Sequence, residues 1–180
     1  MGNSKTTPRP MAKTCDETAT PPGEVPAAVT AASLIEIPID PDGDLILRAG
    51  SELEGAEKAF RVCSNAMRRS SVVWKKMLFG PFKESKPGSG PWIVDLPEDD
   101  PRGLEVLLRI IQTNYSKDPP KLSLTELYHL MQLANKYDMI SIIPPATAST
   151  WVQVVKNLSA KDTAKGSVLA KVLYIAWELG

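Results

Sequence analysis

The chain has 180 residues, enough for one compact domain and a tail but too few for two full catalytic domains. Its 43% hydrophobic residues can form a core, and its 21 basic residues are balanced by 21 acidic ones. A chain without net charge has no overall field that attracts nucleic acid or an anionic membrane, so composition predicts no nucleic-acid partner. Two cysteines, Cys15 and Cys63, are too few for a four-ligand zinc site or a dense disulfide framework, which favours a reducing compartment.

The first 33 residues differ in composition from the rest of the chain. Residues 1–33 are rich in Thr, Pro, Ala, Lys and Glu and contain almost no large apolar side chain, so they are predicted to form a disordered tail. No apolar run approaches the ~20 residues that cross a bilayer, and the N-terminus lacks the apolar stretch of a signal peptide. We therefore expect an intracellular protein of the cytoplasm or the nucleus.

An edge strand is predicted where the tail ends. Residues 34–39 read Leu-Ile-Glu-Ile-Pro-Ile, so the isoleucines share one face of an extended chain and the proline forbids a central position in a sheet. Residues 40–43, Asp-Pro-Asp-Gly, have the composition of a β-turn. We predict that this turn joins the edge strand to a second strand, 44–49, as a hairpin. The alternating segment 58–63 predicts a third strand.

Helices are predicted for most of the remaining chain. Ser71 is a suitable N-cap for a short helix over 72–79, which ends at a glycine free to adopt a left-handed cap. A fourth strand over 92–96 leads to helices that begin at residues 101, 124, 145 and about 167. The last helix is predicted to pack through Leu169, Val172, Leu173 and Ala176. This order predicts an α+β domain, a small β-sheet capped by a cluster of α-helices.

Four stretches in this order resemble the BTB/POZ domain family: PDGDLILRAG, FRVCSNAMRRSSVVWKKML, GPWIVDLPEDDPRGLEVLLRIIQTNY and LSLTELYHLMQLANKYDM. Asp44 matches the aspartate that opens the family's first long strand, and Ser71 and Trp74 match its Ser-x-x-Phe helix start. The resemblance is greatest to a fungal subfamily whose domain runs into a tryptophan-containing helix, here 176–179. The chain lacks the histidine that usually precedes the Ser-x-x-Phe helix. It also stops where resembling sequences continue, so a truncated or divergent member is expected.

The resemblance implies a BTB/POZ-like domain over 34–158, followed by a C-terminal helical extension over 159–180. It also implies a non-catalytic protein–protein interaction module that self-associates and recruits partner proteins. The alternative within this class is a substrate adaptor of a cullin-type ubiquitin ligase, with a cullin as partner. Family dimers form through the N-terminal edge and the first helices, for which the expected interface residues here are Ile35, Ile37, Ala66, Met67 and Val72.

The sequence offers few groups that could perform catalysis or bind a metal. His129, the single histidine, lies away from the core face of its helix and is predicted to be solvated. The acidic run 98–100 matches no calcium loop, and Asp100 is needed as a helix cap. Gly88-Ser89-Gly90 lacks the Lys-Ser/Thr of a phosphate-binding loop. We expect no catalytic residue, metal or cofactor, and an enzyme, the alternative from another class, would need a group that this inventory does not provide.

Two further features concern charge and modification. The basic residues Arg61, Arg68, Arg69, Lys75, Lys76, Lys83 and Lys86 are opposed by the acidic stretch 95–105. This separation could attract an acidic partner or pair protomers head to tail, but a plain solvated face is the favoured interpretation. Residues 68–71 resemble a kinase site, but Ser71 as a helix cap would be hard to reach.

The N-terminus matches the Met-Gly-x-x-x-Ser/Thr myristoylation pattern at Gly2. A third function is therefore an N-myristoylated, membrane-associated scaffold. In that case a membrane becomes a partner only if Gly2 is acylated, and a single acyl chain binds membranes weakly.

Overall fold

The computed structural model describes residue 34 and residues 36–55, 57–112, 120–158 and 166–179. Within this part of the chain, one four-stranded sheet is accompanied by six α-helices and one short 3-10 helix. Three strands come first, and the rest of the domain is mainly helical. The predicted α+β class is therefore confirmed. The predicted tail, 1–33, lies outside the described residues.

The sheet is mixed and has a short strand at one edge. Its strands are β1 (Glu36–Pro38), β2 (Leu45–Ala49), β3 (Lys58–Val62) and β4 (Ile93–Leu96), in the spatial order β1-β3-β2-β4. Strand β1 runs parallel to β3, β3 runs antiparallel to β2, and β2 runs parallel to β4. The prediction of an edge strand at the start of the domain is confirmed.

The predicted hairpin between the first two strands is wrong. The turn itself does form, as shown by the hydrogen bond from the Gly43 N–H to the Asp40 carbonyl at 3.0 Å. However, the turn crosses the end of β3, where the Asp40 N–H donates to the Arg61 carbonyl at 3.0 Å. Tight two-residue hairpin turns need a positive φ at their first central position. Pro41 occupies that position, and its ring holds φ near about −65°. Strand β3 therefore lies between β1 and β2.

The crossing depends on a glycine. A Cβ atom at Gly43 would lie 2.5 Å from the Val62 carbonyl oxygen, so no larger residue fits where the turn passes the end of β3. The turn glycine is thus required for close approach of two backbones.

The helical part of the chain begins one helix earlier than predicted. The helices are α1 (Ser64–Ser70), α2 (Val72–Phe79), α3 (Pro101–Ile111), α4 (Leu124–Lys136), α5 (Pro145–Lys156) and α6 (Gly166–Leu179), with a 3-10 helix at Ile140–Ile142. Helix α1 was not predicted. The starts of α2 to α5 are confirmed, Asp100 acts as the predicted N-cap of α3, and Ser123 is the N-cap of α4.

Two helix ends have specific backbone geometry. Helix α2 ends at Gly80, as predicted. The prediction that Gly80 adopts a left-handed conformation is wrong, because its φ is −96°. A glycine is needed there for another reason: a Cβ atom would collide with the Lys76 carbonyl. At the end of α4, Asp138 adopts a φ of 53° and the Met139 N–H donates to the Ala134 carbonyl at 2.7 Å. This is the hydrogen-bond pattern of a Schellman cap, with an aspartate where glycine is usual.

One continuous core joins the sheet to the helices. Its largest fully buried side chains come from β2, β3, α1, α2, α3, α4 and α5: Leu45, Leu47, Phe60, Met67, Trp74, Leu78, Leu104, Leu107, Leu108, Leu127 and Trp151. Leu104, Leu107 and Leu108 place a stripe of α3 in this core.

Helix α6 packs through a different face from the predicted one. Leu169 and Leu173 are 44% and 61% exposed and Ala176 is exposed, whereas Ile175 is fully buried. The prediction was wrong because α6 is apolar almost all round, so its spacing does not select one face. The inward face of α6 instead carries the buried Ile175, and Lys171 and Glu178 on that side contact α4.

Candidate interaction surfaces

The expected dimer-interface residues fall into three groups. Ile37 is half-buried in the edge strand β1, and Val72, the first residue of α2, is 56% exposed. Met67 is fully buried in the core of this chain and Ala66 nearly so, because α1 turns both side chains inward. Ile35 lies outside the described residues. Of the four expected residues that the structure describes, Ile37 and Val72 are the two available to another protein.

Helix α1 is held in place by a side chain from the sheet. The Ser64 N–H donates to Asp44 Oδ1 at 2.8 Å, and the Ser64 hydroxyl donates to Asp44 Oδ2 at 2.9 Å. Burial alone would raise the pKa of Asp44. The hydrogen bonds from Ser64 and the positive charge of Lys86 outweigh that effect and lower the pKa below its ordinary value. Asp44 therefore caps, as a carboxylate, a helix that starts 20 residues later in the chain.

Helix α2 is fixed at its first turn by Ser71. The Ser71 hydroxyl oxygen accepts from the Val73 and Trp74 N–H groups at 3.0 and 3.1 Å, and the hydroxyl donates to the Tyr137 carbonyl at the end of α4. Ser71 is only 5% exposed. A kinase could not reach the hydroxyl without opening this contact.

Three large apolar side chains remain exposed on and just after α2. Val72, Phe79 and Phe82 are 56%, 42% and 55% exposed, and we call them the α2 surface. Beside them, Val73, Lys76, Met77, Phe82 and Glu84 line a mainly apolar groove of about 340 Å³. A short helix with apolar residues all round cannot bury them all, as its sequence indicates.

Basic residues border the α2 surface. The Arg68 guanidinium lies 5.4 Å from the centre of the Phe79 ring, and Lys75 and Lys76 are exposed on α2 itself. Three other members of the predicted basic cluster have acidic partners: Arg61 lies 2.6 Å from Glu36, Lys86 lies 3.5 Å from Asp44, and Lys83 lies 3.7 Å from Glu84. Positive charge is thus concentrated around exposed apolar side chains.

A buried carboxylate links the loop after β4 to the end of α4, and sequence reasoning missed it. Asp99 is 1% exposed; Tyr137 donates its hydroxyl to Oδ2 at 2.5 Å, and Lys136 Nζ donates to Oδ1 at 2.5 Å. Burial, the charge of Asp99 and the hydrogen bond to it all raise the pKa of the Tyr137 hydroxyl. Because both carboxylate oxygens are engaged, the group is a structural anchor and does not offer a free base.

His129 is more enclosed than predicted. It is half-buried and borders two clefts of about 360 and 370 Å³, one lined with Asp99 and Lys136 and the other with Lys58 and Arg102. The expectation of a fully solvated histidine is therefore only partly correct. Across the described residues, no group of three His, Cys, Asp or Glu side chains could hold a metal ion.

A second exposed apolar surface lies on α6. Leu169, Leu173 and Trp177 are 44%, 61% and 84% exposed, and Ala170 and Ala176 are exposed beside them. We call these five residues the α6 outer face. The sequence did signal it, because a helix with almost no polar residues cannot bury its whole circumference in a domain this small.

The remaining predicted site, Gly2, lies outside the described residues, as does Cys15. In the part of the chain that the structure covers, none of the helices is long and apolar enough to span a bilayer. No protein-family model matches the chain, and a search of the curated proteins found no match.

Proposed function

We propose that this chain is an intracellular, non-catalytic protein–protein interaction module that self-associates and recruits partner proteins, as its resemblance to the BTB/POZ domain implies. The α2 surface carries the proposal. Three large apolar side chains, Val72, Phe79 and Phe82, remain in contact with water there. Grouped exposed apolar side chains are typical of interaction sites.

We include the edge strand β1 as a second element of the proposed contact. Edge strands present unpaired backbone groups that another chain can cover. Two features of β1 give it limited protection against such pairing. Pro38 has no N–H to donate, and the Glu36 carboxylate accepts a hydrogen bond from Arg61 Nε at 2.6 Å. Ile37 and Val72 are therefore the residues through which we propose that a second copy binds.

Val72→Asp tests this contact without disturbing the fold. Val72 is the first residue of α2, where an acidic side chain interacts favourably with the helix dipole, so the variant should fold. Light scattering at micromolar concentration should give a mass above the monomer for the wild-type chain and a lower mass for Val72→Asp, because a charge enters a buried contact.

The matched control is Leu53→Asp, which puts the same charge on a 40% exposed leucine between β2 and β3. It should keep the wild-type mass. A monomeric wild-type chain, or a Val72→Asp variant with the wild-type mass, would contradict self-association through α2.

A further inference from the structure

Helix α6 carries its charged residues inward and its apolar residues outward. Among its 14 residues only Lys171 and Glu178 are charged, and both contact α4. Lys171 Nζ donates to Thr125 Oγ1 at 2.9 Å, and Asn135 Nδ2 donates to Glu178 Oε1 at 2.8 Å. Surface helices normally have the opposite arrangement, with polar residues outward. The α6 outer face is consequently a stripe without charge.

The area of this stripe matches part of a protein–protein interface. Trp177, at 84% exposure, presents on the order of 200 Å² to water, and Leu169 and Leu173 bring the exposed total to roughly 350 Å². Covering the stripe on two molecules would remove about 700 Å² from these three residues alone. With the alanines and flanking backbone, the total approaches the ~1,000 Å² that a specific interface requires.

We infer that a second copy of this chain covers the α6 outer face, with the two α6 helices antiparallel about a twofold axis at Leu173. In that register Leu173 meets Leu173 of the copy, Trp177 meets Leu169, and Ala176 meets Ala170. The indole of each copy thus packs on a leucine, and the pairs of alanines let the helices approach closely. Every residue of the stripe acquires an apolar neighbour from the stripe itself.

A second copy fits this stripe better than a charged partner does. A partner helix with charges on its contact face would find no opposite charge on the α6 outer face and would lose the hydration of its own charges. A twofold contact needs one self-complementary patch. This stripe is self-complementary because, in the antiparallel register, each of its residues faces another residue of the same stripe.

This inference rests on the proposed function and places a second contact between copies, separate from the α2 surface. A twofold α6 contact combined with an α2 contact that is also twofold produces either a closed assembly of four copies or an open chain of copies. Each contact can therefore be removed by its own substitution. The mass of the remaining assembly then shows which of the two contacts exist.

The decisive measurement is the mass of the full chain in solution, by light scattering, for a set of variants. We expect the wild-type chain to have a mass greater than that of a dimer. Leu173→Asp should have the mass of a dimer, joined through α2, and the double variant Val72→Asp/Leu173→Asp should have the mass of a monomer. Leu53→Asp, matched in chemistry, should keep the wild-type mass. Because Leu173 is 61% and Trp177 is 84% exposed, neither supports the fold, and Trp177→Gln should weaken the same contact about tenfold.

The possible failures are distinguishable. If Leu173→Asp and Trp177→Gln both keep the wild-type mass, the α6 contact is refuted and the proposed function stands. If Val72→Asp keeps the wild-type mass while Leu173→Asp is a monomer, the α6 contact stands and the α2 contact does not. A monomeric wild type refutes both.

Cysteine cross-linking tests the register independently of mass. In a chain with Cys15 and Cys63 changed to serine, Leu173→Cys should form a disulfide-linked dimer under mild oxidation, because the two Leu173 positions meet at the axis. Ala170→Cys is the control on the same exposed face; it should stay unlinked, because it opposes Ala176. Absence of linkage at Leu173, or equal linkage at both positions, would overturn the antiparallel register.

Discussion

At the scale of single residues, Tyr137 connects more parts of the domain than any local sequence signal indicates. Its ring stacks on Trp74 of α2 with centroids 4.2 Å apart and planes 15° apart. Its hydroxyl binds Asp99 in the loop after β4, and its carbonyl accepts from Ser71. One side chain at the end of α4 thus ties α2 and the sheet to the helical layer. These contacts hold α2, and with it the α2 surface, in position.

Tyr137→Phe separates the two roles of this side chain. The phenyl ring keeps the stack on Trp74, but one buried oxygen of Asp99 loses its donor, which costs about 1–3 kcal/mol. Urea denaturation should show that loss in the free energy of unfolding. Lys136→Met removes the other donor and the positive charge beside a carboxylate that is 2% exposed, so it should cost at least as much as Tyr137→Phe. Equal stability of Tyr137→Phe and wild type would refute this role for the hydroxyl.

At the scale of elements, α1 illustrates a helix whose start is determined from far along the chain. Its N-cap residue, Cys63, makes no side-chain capping bond, and the capping oxygens come from Asp44 at the start of β2. A lowered pKa in the folded state means that the carboxylate stabilises the fold above its unfolded pKa of about 3.9. That contribution is lost as pH falls through the lower, folded pKa.

Asp44→Asn therefore has a pH-dependent effect. Near neutral pH the variant should be less stable by about 1 kcal/mol, a modest value because the Asp44 side chain is 39% exposed. The difference should stay constant down to about pH 5 and shrink below about pH 4, as the wild-type carboxylate is protonated. Denaturation at a series of pH values measures it. Asp42→Asn, which removes a charge from the exposed turn, is the control; a pH-independent difference for Asp44→Asn would contradict this account.

The same distinction between local and distant causes explains which elements could be predicted. Helices α3 and α4 were predictable because their caps, Asp100 and Ser123, adjoin them in sequence. Helix α1 was not, because its cap is 20 residues away. The pairing of β1 with β3 was missed because a turn sequence predicts that the chain reverses direction, but not which strand pairs with which. Pro41 did argue against a tight hairpin. The orientation of α6 depends on partners in α4, so its own spacing could not predict it.

At the scale of the whole molecule, the candidate surfaces were only partly predictable. A sequence can show that α2 and α6 have more apolar residues than one face can bury, but tertiary packing decides which of them stay exposed. Val72 and Trp177 are exposed, whereas Met67 is fully buried because α1 turns it toward the core. The two surfaces also differ in charge: basic residues border the α2 surface, and the α6 outer face has none.

This difference predicts that salt affects the two contacts to different extents. The balance of 21 basic and 21 acidic residues leaves little net repulsion between copies, so association through α6 should depend on apolar burial alone. In the Val72→Asp chain, raising NaCl from about 0.05 M to about 1 M, which greatly shortens the screening length, should leave the dimer Kd within about threefold or tighten it. In the Leu173→Asp chain, Arg68, Lys75 and Lys76 of both copies border the α2 contact and repel each other, so its Kd should fall about tenfold over the same range as salt screens them. Sedimentation equilibrium at each salt concentration measures both constants, and a Val72→Asp dimer that weakens about tenfold or more in high salt would show that charges hold it together.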